Sequence, residues 1–308
     1  AGAPRRRMTA PRVRVSDEIA WATSQLAEVG VASPRADAEW LMCYVLRIDR
    51  GRLLIADDLS DDQAWSYRDL VARRRTRVPL QHLIGTAAFG PVDLAVGPGV
   101  FVPRPETEWL LEWAVAALTE VAHPVVVDLC SGSGALGIAV ATLVPTARVL
   151  AVEKSADSWQ WLNRNITACD VASRCRAVCA DVTDAGATVA ALAAVAGSGP
   201  GSRGAAPVAD LVVSNPPYVP EGTGVAPEVG ADPHAAVFAG DDGMSVITPM
   251  LALVGRLLRP GGRAGIEHDE STSARVLAAA AATGLFTEVA GHDDLTGRPR
   301  FVTMRRSR

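Results

Sequence analysis

The sequence lacks any apolar run long enough to cross a membrane. A membrane-spanning helix needs about 18 or more consecutive apolar residues, and no segment of this 308-residue chain approaches that length. Residues 1–14 carry several arginines with no apolar stretch behind them, unlike a secretory signal. We therefore expect a flexible tail at residues 1–14, no membrane partner and a cytoplasmic location.

Cysteine and histidine are scarce, with five of each. The cysteine count is odd and no Cys-x-x-Cys pair occurs, which argues against a disulfide framework and against a zinc site. The histidines show no ligand spacing either. We expect buried, reduced thiols and no metal ion.

A basic excess is also missing, since 34 acidic residues outnumber 30 basic ones and give a formal net charge of -4. Proteins that grip long nucleic acids are usually basic, so a direct nucleic-acid substrate is disfavoured. What the chain does have is 49% hydrophobic and 21% charged residues, a composition typical of a folded globular protein. Its length corresponds to about two domains.

Residues 15–84 have a helical pattern. Ser16, Ser33 and Ser60 each precede a segment whose apolar residues recur at helical spacing, and serine is favoured at helix N-termini. Residues 85–103 then change to short extended pieces separated by Gly-Pro and Gly-Pro-Gly. These pieces cover residues 87–89, 92–96 and 99–102. The pattern predicts a small N-terminal helical domain followed by a β-hairpin linker.

From residue 104 to residue 308 strands and helices alternate, and most of the strands are uniformly apolar. This pattern is typical of an α/β domain with a parallel sheet covered on both faces. The last two strands, at 286–291 and 300–304, are expected to add an antiparallel strand at the edge. Residues 184–207 are rich in alanine and glycine, which predicts a short helix followed by a flexible insertion.

A strand, a glycine turn and a helix start follow one another from Val125 onward. Gly132, Gly134 and Gly137 spell the G-x-G-x-x-G motif, and Glu153 ends the next strand, where an acidic residue can hold ribose hydroxyls. The residues of this turn expected to contact a cofactor are Asp128, Cys130, Ser131, Gly132, Ser133 and Gly134. The motif leaves two classes open, a nicotinamide-dependent dehydrogenase and a methyltransferase that uses S-adenosylmethionine.

Three features favour the methyltransferase. Asp128 lies before the turn, where a carboxylate suits a cationic amine better than a pyrophosphate. Asp181 follows the third strand, where it can accept a hydrogen bond from adenine while Val182 packs on the ring. The fourth strand ends in Asn215-Pro216-Pro217-Tyr218, hereafter the 215–218 corner, which contains no group that passes a hydride.

The 215–218 corner is suited to a planar NH2 group. Consecutive prolines cannot continue a strand ladder and hold the preceding backbone extended. The side-chain oxygen of Asn215 and the carbonyl oxygen of Pro216 can each accept one hydrogen, while Tyr218 stacks on the plane. We therefore expect the catalytic residues to be Asn215, Pro216, Pro217 and Tyr218.

With these residues assembled, the sequence resembles the HemK/PrmC family, the release-factor glutamine N5-methyltransferases. The motifs that carry the resemblance are Val-Pro-Leu-Gln-His-Leu-Ile-Gly at 78–85, Val-Pro-Arg-Pro-Glu-Thr-Glu at 102–108, the glycine turn, the 215–218 corner and Gly-Asp-Asp-Gly at 240–243. The resemblance implies a Rossmann-like, seven-stranded class I methyltransferase domain at 104–308 and a substrate-recognition domain at 15–84. It also implies methyl transfer from S-adenosylmethionine to the glutamine of the Gly-Gly-Gln loop in bacterial peptide-chain release factors.

The segment of residues 101–107 is expected to lie over the cofactor, with Phe101, Arg104 and Thr107 as contacts; the other interpretation is a rigid linker. Four departures from the family pattern bear on cofactor affinity. His82 stands where tyrosine is more common, Cys130-Ser131 replaces Gly-Thr, and Val182 stands where some members have an aromatic ring. The insertion before Val208 is long. None of them removes a group that the reaction needs.

Two other functions remain open on the sequence. The corner would also suit the exocyclic amine of adenine or cytosine in nucleic acid. Similar Asn-Pro-Pro-Tyr corners occur in DNA methyltransferases, which flip the base out of the duplex before methylating it. A non-catalytic cofactor-binding module would leave the corner idle. A release factor as protein substrate and a monomeric enzyme are the expectations that we carry forward.

Overall fold

The computed structural model describes residues 13–56, 58–196 and 208–308. The chain divides into two compact units, Ala1–Gly85 and Thr86–Arg308. Most of the expected tail and the glycine-rich part of the expected insertion lie outside the described residues. No helix in the described part of the chain combines the length and the apolar character that crossing a membrane requires.

The N-terminal unit is helical, as predicted. Its elements are β1 (Val13–Arg14), α1 (Val15–Glu28), α2 (Pro34–Leu46), a 3-10 segment (Arg50–Ile55), β2 (Asp58–Leu59), α3 (Asp61–Arg75) and α4 (Leu80–Ile84). The core includes Leu26, Leu41 and Tyr67, none of them exposed to solvent. The Tyr67 hydroxyl donates to the Ala38 carbonyl at 3.0 Å, which satisfies its polar group inside the core.

Two of the three predicted serine starts are confirmed. Ser60 forms a reciprocal cap with Gln63 at the start of α3, and Ser33 immediately precedes Pro34 in the first turn of α2. The expected cap at Ser16 is wrong, because α1 already begins at Val15. Strand β1 ends at Arg14, so the chain enters the helix directly from its pairing with β2.

The second unit begins with a two-stranded hairpin, β3 (Thr86–Phe89) and β4 (Val92–Ala95). The third extended piece predicted at residues 99–102 does not join a sheet. Val100 and Val102 are fully buried there, but the Val102 N–H donates to the Asp232 carboxylate rather than to a strand. The apolar alternation therefore reflects packing without ladder pairing.

The predicted α/β architecture with seven strands is confirmed. The elements are α5 (Glu108–Ala117), β5 (Val125–Leu129), α6 (Ala135–Leu143), β6 (Arg148–Glu153), α7 (Ala156–Ala168), β7 (Cys175–Cys179), α8 (Ala185–Ala196), β8 (Ala209–Ser214), α9 (His234–Val237), α10 (Ile247–Leu257), β9 (Leu258–Glu267), α11 (Ser273–Ala282), β10 (Phe286–Asp293) and β11 (Pro299–Arg306). The sheet order is β10-β11-β9-β8-β5-β6-β7. Strands β5 to β9 pair in parallel, and two apolar clusters form the core.

The antiparallel strand lies one position in from the edge. β11 inserts between β9 and β10 and runs antiparallel to both, so the closing pair lies at the edge of the sheet as predicted, with β10 outermost. The expectation of buried thiols holds for Cys43 and Cys175 and is wrong for Cys179, which is exposed. Cys179 is the last residue of β7, the strand at the other edge of the sheet.

Candidate active site

The chain order reverses between β5 and β8, which neighbour each other at the centre of the sheet. After β5 the chain adds β6 and β7 on one side, and then crosses to β8 and β9 on the other. In open parallel sheets, ligands bind at the carboxyl ends of the strands beside such a reversal. A cavity of about 270 Å³ lies there, lined by residues of the second unit.

The cavity brings together the residues that the sequence singled out. Its lining includes Phe101, Arg104, Thr107, Asp128, Cys130, Ser131, Gly132, Ser133, Glu153, Asp181, Val182, Asn215, Pro216, Pro217 and Tyr218. Gly134 lies in the same turn without lining the cavity. A Cβ added at Gly134 would lie 2.6 Å from Ile138 Cδ1 and 2.7 Å from Leu162 Cδ1. Glycine at this position therefore lets the turn pack closely against these two side chains.

The glycine turn contains one strained residue. Cys130 has φ of 59°, a left-handed conformation that costs a non-glycine residue about 1–2 kcal/mol. Gly132 and Gly134 have φ of 55° and 92° and adopt these angles at little cost. The departure of Cys130 from the glycine common in the resembling family therefore leaves the turn shape in place at a small cost in stability.

Asp128 lies behind the turn rather than out in the open cavity. Its side chain is buried, and its Oδ2 accepts from the Gly137 N–H at 2.9 Å, in the first turn of α6. Burial raises the pKa of Asp128 to about 7. The bond from Gly137 leaves Asp128 further acceptor capacity, because a carboxylate oxygen can accept more than one hydrogen bond. Contact between Asp128 and a cationic amine stays a prediction.

Glu153 has both carboxylate oxygens oriented by the backbone. Oε2 accepts from the Gly132 N–H at 2.9 Å, and Oε1 accepts from the Ser155 N–H at 2.7 Å. Each oxygen keeps a free lone pair. The side chain is thus held at the end of β6 with acceptor capacity for the two hydroxyls of a ribose.

Asp181 and Lys154 lie at the rim of the cavity. Partial burial raises the pKa of Asp181, but hydrogen bonds from Thr183 and the nearby Lys154 charge outweigh this and lower it. The Lys154 Nζ is 3.4 Å from Asp181 Oδ2. Lys154 is the only lysine in the sequence, and the side chain is half exposed.

The 215–218 corner is tied to the elements around it by specific hydrogen bonds. Ser214 Oγ donates to the Leu129 carbonyl at 2.7 Å, which joins the ends of β8 and β5. Asn215 Nδ2 donates to Thr107 Oγ1 at 3.0 Å. Because the amide nitrogen is engaged with Thr107, the Asn215 Oδ1 is the atom available as an acceptor.

Tyr218 is fixed at both its ring and its backbone. The hydroxyl donates to Glu267 Oε1 at 2.9 Å, and the N–H donates to the Val237 carbonyl at 3.2 Å. A Cβ added at Gly243 would lie 2.3 Å from the Tyr218 carbonyl oxygen. The Gly-Asp-Asp-Gly motif at 240–243 therefore packs directly against the corner.

Arg104 is engaged with a carboxylate that the sequence analysis missed. Its guanidinium forms an ion pair with the fully buried Asp232 side chain and lies 4.9 Å from the centre of the Phe101 ring. Asp232 also accepts from the Val102 N–H at 3.1 Å. This pairing fastens the loop before α9 to residues 101–104. No pattern around Asp232 in the sequence indicates this contact.

Glu267 is the second residue that the sequence analysis missed. It ends β9, beside β8, at the same carboxyl edge of the sheet as the 215–218 corner. An acidic residue at the end of an apolar parallel strand is a usable sequence signal, because such ends converge on one site. Glu267 is 2% exposed.

The groups of this cavity fit a cationic, adenine-bearing cofactor. Carboxylates near the carboxyl ends of β5, β6 and β7 line the cavity, and such groups can accept hydrogen bonds from an amine, from hydroxyls and from an adenine amino group. Val182 and Phe101 supply apolar surface for a ring. A pyrophosphate would face this negative charge with a single lysine and the engaged Arg104 to oppose it.

Two family models and one solved structure match parts of the chain. The family model of the PrmC N-terminal domain matches residues 18–85, and that of the TRM5/TYW2 methyltransferase domain matches residues 113–197. A methyltransferase of known structure from Pyrococcus furiosus aligns with a TM-score of 0.49 at 17% identity, covering 77% of this chain and 100% of that one.

Curated relatives match over nearly the whole chain. The release factor glutamine methyltransferase of Mycolicibacterium smegmatis is 49% identical over 294 residues, covering 95% of this chain and 98% of that protein. The proteins of the same name from Corynebacterium glutamicum and Streptomyces coelicolor are 44% and 42% identical, covering 92% and 94% of this chain and 96% and 97% of theirs. This chain belongs to the release factor glutamine methyltransferase family.

Proposed function

We propose that this enzyme transfers a methyl group from S-adenosylmethionine to the side-chain amide nitrogen of the glutamine in the Gly-Gly-Gln motif of bacterial peptide-chain release factors. The observation that carries the proposal is the hydrogen bond from Asn215 Nδ2 to Thr107 Oγ1, because it leaves Oδ1 as an acceptor in the cavity that holds the glycine turn. The names of the relatives support the choice of substrate.

The cofactor roles follow from the positions of the acceptors. We assign the ribose hydroxyls to Glu153, the adenine amino group to Asp181 and the ring face to Val182, with Phe101 covering the cofactor. When bound, S-adenosylmethionine supplies an electrophilic methyl on a sulfonium, and S-adenosylhomocysteine is the product. Arg104 and Thr107 act on the cofactor indirectly in this proposal, because the structure pairs them with Asp232 and Asn215.

The 215–218 corner activates the substrate amide nitrogen by holding it in a defined orientation. An amide lone pair is delocalised into its carbonyl, so the nitrogen must begin to pyramidalise before it can attack. If Asn215 Oδ1 and the Pro216 carbonyl each accept one N–H, and Tyr218 holds the amide plane, the lone pair turns toward the methyl. Such positioning can supply about 7–11 kcal/mol of a barrier. The acceptors strengthen as positive charge develops on nitrogen, and the proton then leaves to water.

Asn215→Ala tests this scheme. We expect the affinity for S-adenosylmethionine to stay within about twofold, whereas single-turnover methylation of a release factor falls on the order of 10²-fold or more, because one transition-state acceptor is lost. Isothermal titration and tritium transfer measure the two quantities. Asn163→Ala, at a partly exposed position of α7, is the matched control. A near wild-type rate in Asn215→Ala would refute the role of the corner.

The substrate class is tested by offering two acceptors in parallel. A purified release factor and duplex DNA are each incubated with enzyme and tritiated cofactor, followed by peptide mass mapping. We expect one added methyl at the Gly-Gly-Gln glutamine. Label in DNA but not in the release factor would assign the enzyme to nucleic-acid amines. We propose that it acts as a monomer in the cytoplasm, where translation terminates.

A further inference from the structure

A buried carboxyl group lies directly behind the 215–218 corner. Glu267 accepts from the Tyr218 hydroxyl through Oε1 at 2.9 Å. Its Oε2 is buried, and among the described residues no donor is in hydrogen-bonding geometry with it. The Thr107 hydroxyl lowers the pKa of Glu267, and Thr107 Oγ1 accepts from Asn215 Nδ2. Glu267 is thus bonded to Tyr218 of the corner and interacts with Thr107, which holds Asn215.

We propose that Glu267 is a positioning residue: its buried Oε2 is the acceptor toward which the Thr107 hydroxyl turns, and this sets the direction of the hydrogen bonds that hold Asn215 Oδ1 toward the substrate amide. The inference rests on the proposed function and assigns that site a residue outside the Asn-Pro-Pro-Tyr motif. Glu267 touches neither the reacting nitrogen nor the methyl group, so it acts through Thr107 and Asn215.

The direction follows from the number of protons available. An ionised carboxylate only accepts hydrogen bonds, and a threonine hydroxyl has a single proton to donate. If that proton points to Glu267, Thr107 Oγ1 must accept from Asn215, and the asparagine must present its oxygen to the substrate. A donor at position 267 would send the Thr107 proton toward Asn215 instead. The side-chain amide would then rotate, and its NH2 would face the NH2 of the substrate.

The charges around Glu267 leave it able to change state near neutral pH. Burial raises the pKa of Glu267 to about 7, and Glu106 adds to this, while Thr107, Tyr218 and Arg300 lower it. The neighbouring His268 is buried and its pKa is lowered, so it is neutral at that pH. Above about pH 7 Glu267 is ionised, so the Thr107 hydroxyl donates to it and Asn215 presents its oxygen to the substrate. Below about pH 7 Glu267 takes up a proton, and this arrangement of hydrogen bonds is lost.

Glu267→Gln in the full chain tests the proposal, because glutamine keeps the shape and adds a donor. We expect S-adenosylmethionine and release-factor affinities within about twofold of wild type, and single-turnover methylation at pH 8 lowered on the order of 10- to 100-fold. The wild-type rate at saturating cofactor should rise across about pH 7, and that of Glu267→Gln should be flat. Thr107→Ser should keep most of the rate, and Thr107→Val should lose it.

Three controls make the result specific. Glu270→Gln, on the exposed surface beyond β9, should match wild type. Burial also raises the pKa of Asp128 to about 7, so Asp128→Asn is measured at saturating cofactor, where it should keep the wild-type pH step. The double variant Glu267→Gln/Thr107→Val should lose little more than either single variant, because both disrupt one network.

The proposal and the proposed function fail in different ways. If wild type does not methylate a release factor, the function is wrong. If wild type does so while Glu267→Gln has a rate within about twofold of it, or keeps its pH step, Glu267 has no positioning role. If Glu267→Gln does not fold, as judged by circular dichroism, the threonine pair decides, and equal rates for Thr107→Ser and Thr107→Val overturn the proposal.

Discussion

Glu267 illustrates how a single side chain can favour function at the expense of stability. The ordinary pKa of 4.5 is raised by burial to about 7. Between these two pH values the folded chain keeps a proton that the unfolded chain releases. The free energy of unfolding therefore falls as pH rises from about 4.5 to about 7. Above about pH 7 Glu267 is ionised, as the proposed network requires, and its buried charge destabilises the fold.

Glu267→Gln should therefore be stabilised at alkaline pH. We expect the free energy of unfolding of the variant to exceed that of wild type by an amount on the order of 1–3 kcal/mol at pH 8, and the difference to shrink toward pH 5. Urea titrations at both pH values measure it, with Glu270→Gln as the control. Parallel pH dependences for Glu267→Gln and wild type would show that the carboxyl ionises normally.

At this scale the sequence predicted chemistry better than contacts. Asn215, Glu153 and Asp181 were predicted from residue type and strand position, and the structure places all three on one cavity. Glu267 ends an apolar strand, which is a usable signal, but it was missed because no glycine turn or proline motif follows it in the sequence. Asp232 was missed because its partners, Val102 and Arg104, are about 130 residues away in the sequence, and such pairing depends on how the loops pack.

The turn that precedes α10 connects a sequence motif to the position of the corner. Gly243 has φ of 74°, and the Tyr218 carbonyl oxygen lies 2.3 Å from where a Cβ of residue 243 would be. The neighbouring Asp242 accepts from the Met244 N–H at 2.9 Å. This turn and the 215–218 corner are in backbone contact, so a change in one displaces the other.

Gly243→Ala should displace the corner as well as strain the turn. We expect a loss of thermal stability and a fall in methylation rate on the order of 10²-fold, because a shift of about 1 Å at a reacting group has that effect. Gly297→Ala is the matched control, since Gly297 has φ of 77° and a Cβ added there would meet no described atom within 4 Å. It should lose less stability, because only the positive φ strains it, and it should keep its rate. Equal rates for Gly243→Ala and wild type would contradict the packing argument.

Element types followed from the sequence more readily than element pairing. The helix start at Ser60 was predicted because it depends on local residue types, and the structure adds a reciprocal cap with Gln63 there. The insertion of β11 between β9 and β10 was not predicted, because strand order is set by long-range pairing. The piece at 99–102 has the alternation of a strand, but the Asp232 carboxylate takes the Val102 N–H that a ladder would need.

At the scale of the whole molecule, the N-terminal unit exposes apolar side chains that its own core does not use. Leu54 is 92% exposed, Ile55 79% and Trp65 71%. Isolated exposed apolar residues are common on protein surfaces, but a loop glutamine offers a small area for recognition. We propose that this unit contributes to binding the body of the release factor.

Leu54→Ser/Ile55→Ser tests that contribution. We expect KM for an intact release factor to rise on the order of 10-fold with little change in kcat, because apolar contacts in the complex are lost. Methylation of a short Gly-Gly-Gln peptide should be unaffected. Leu295→Ser, at an 83% exposed position in the β10–β11 turn of the second unit, is the control. Equal effects on protein and peptide substrates would place the defect in the catalytic unit.

The single lysine at the mouth of the cavity offers one site at which a probe of cavity occupancy can be attached. Amine-directed reagents find side-chain amines in most proteins at many places at once, but here Lys154 is the only one, and it lies beside Asp181 on the cavity rim. A fluorophore or isotopic methyl attached to that amine would sense whatever enters beneath it. Occupancy of the pocket can thus be followed without a genetically introduced label.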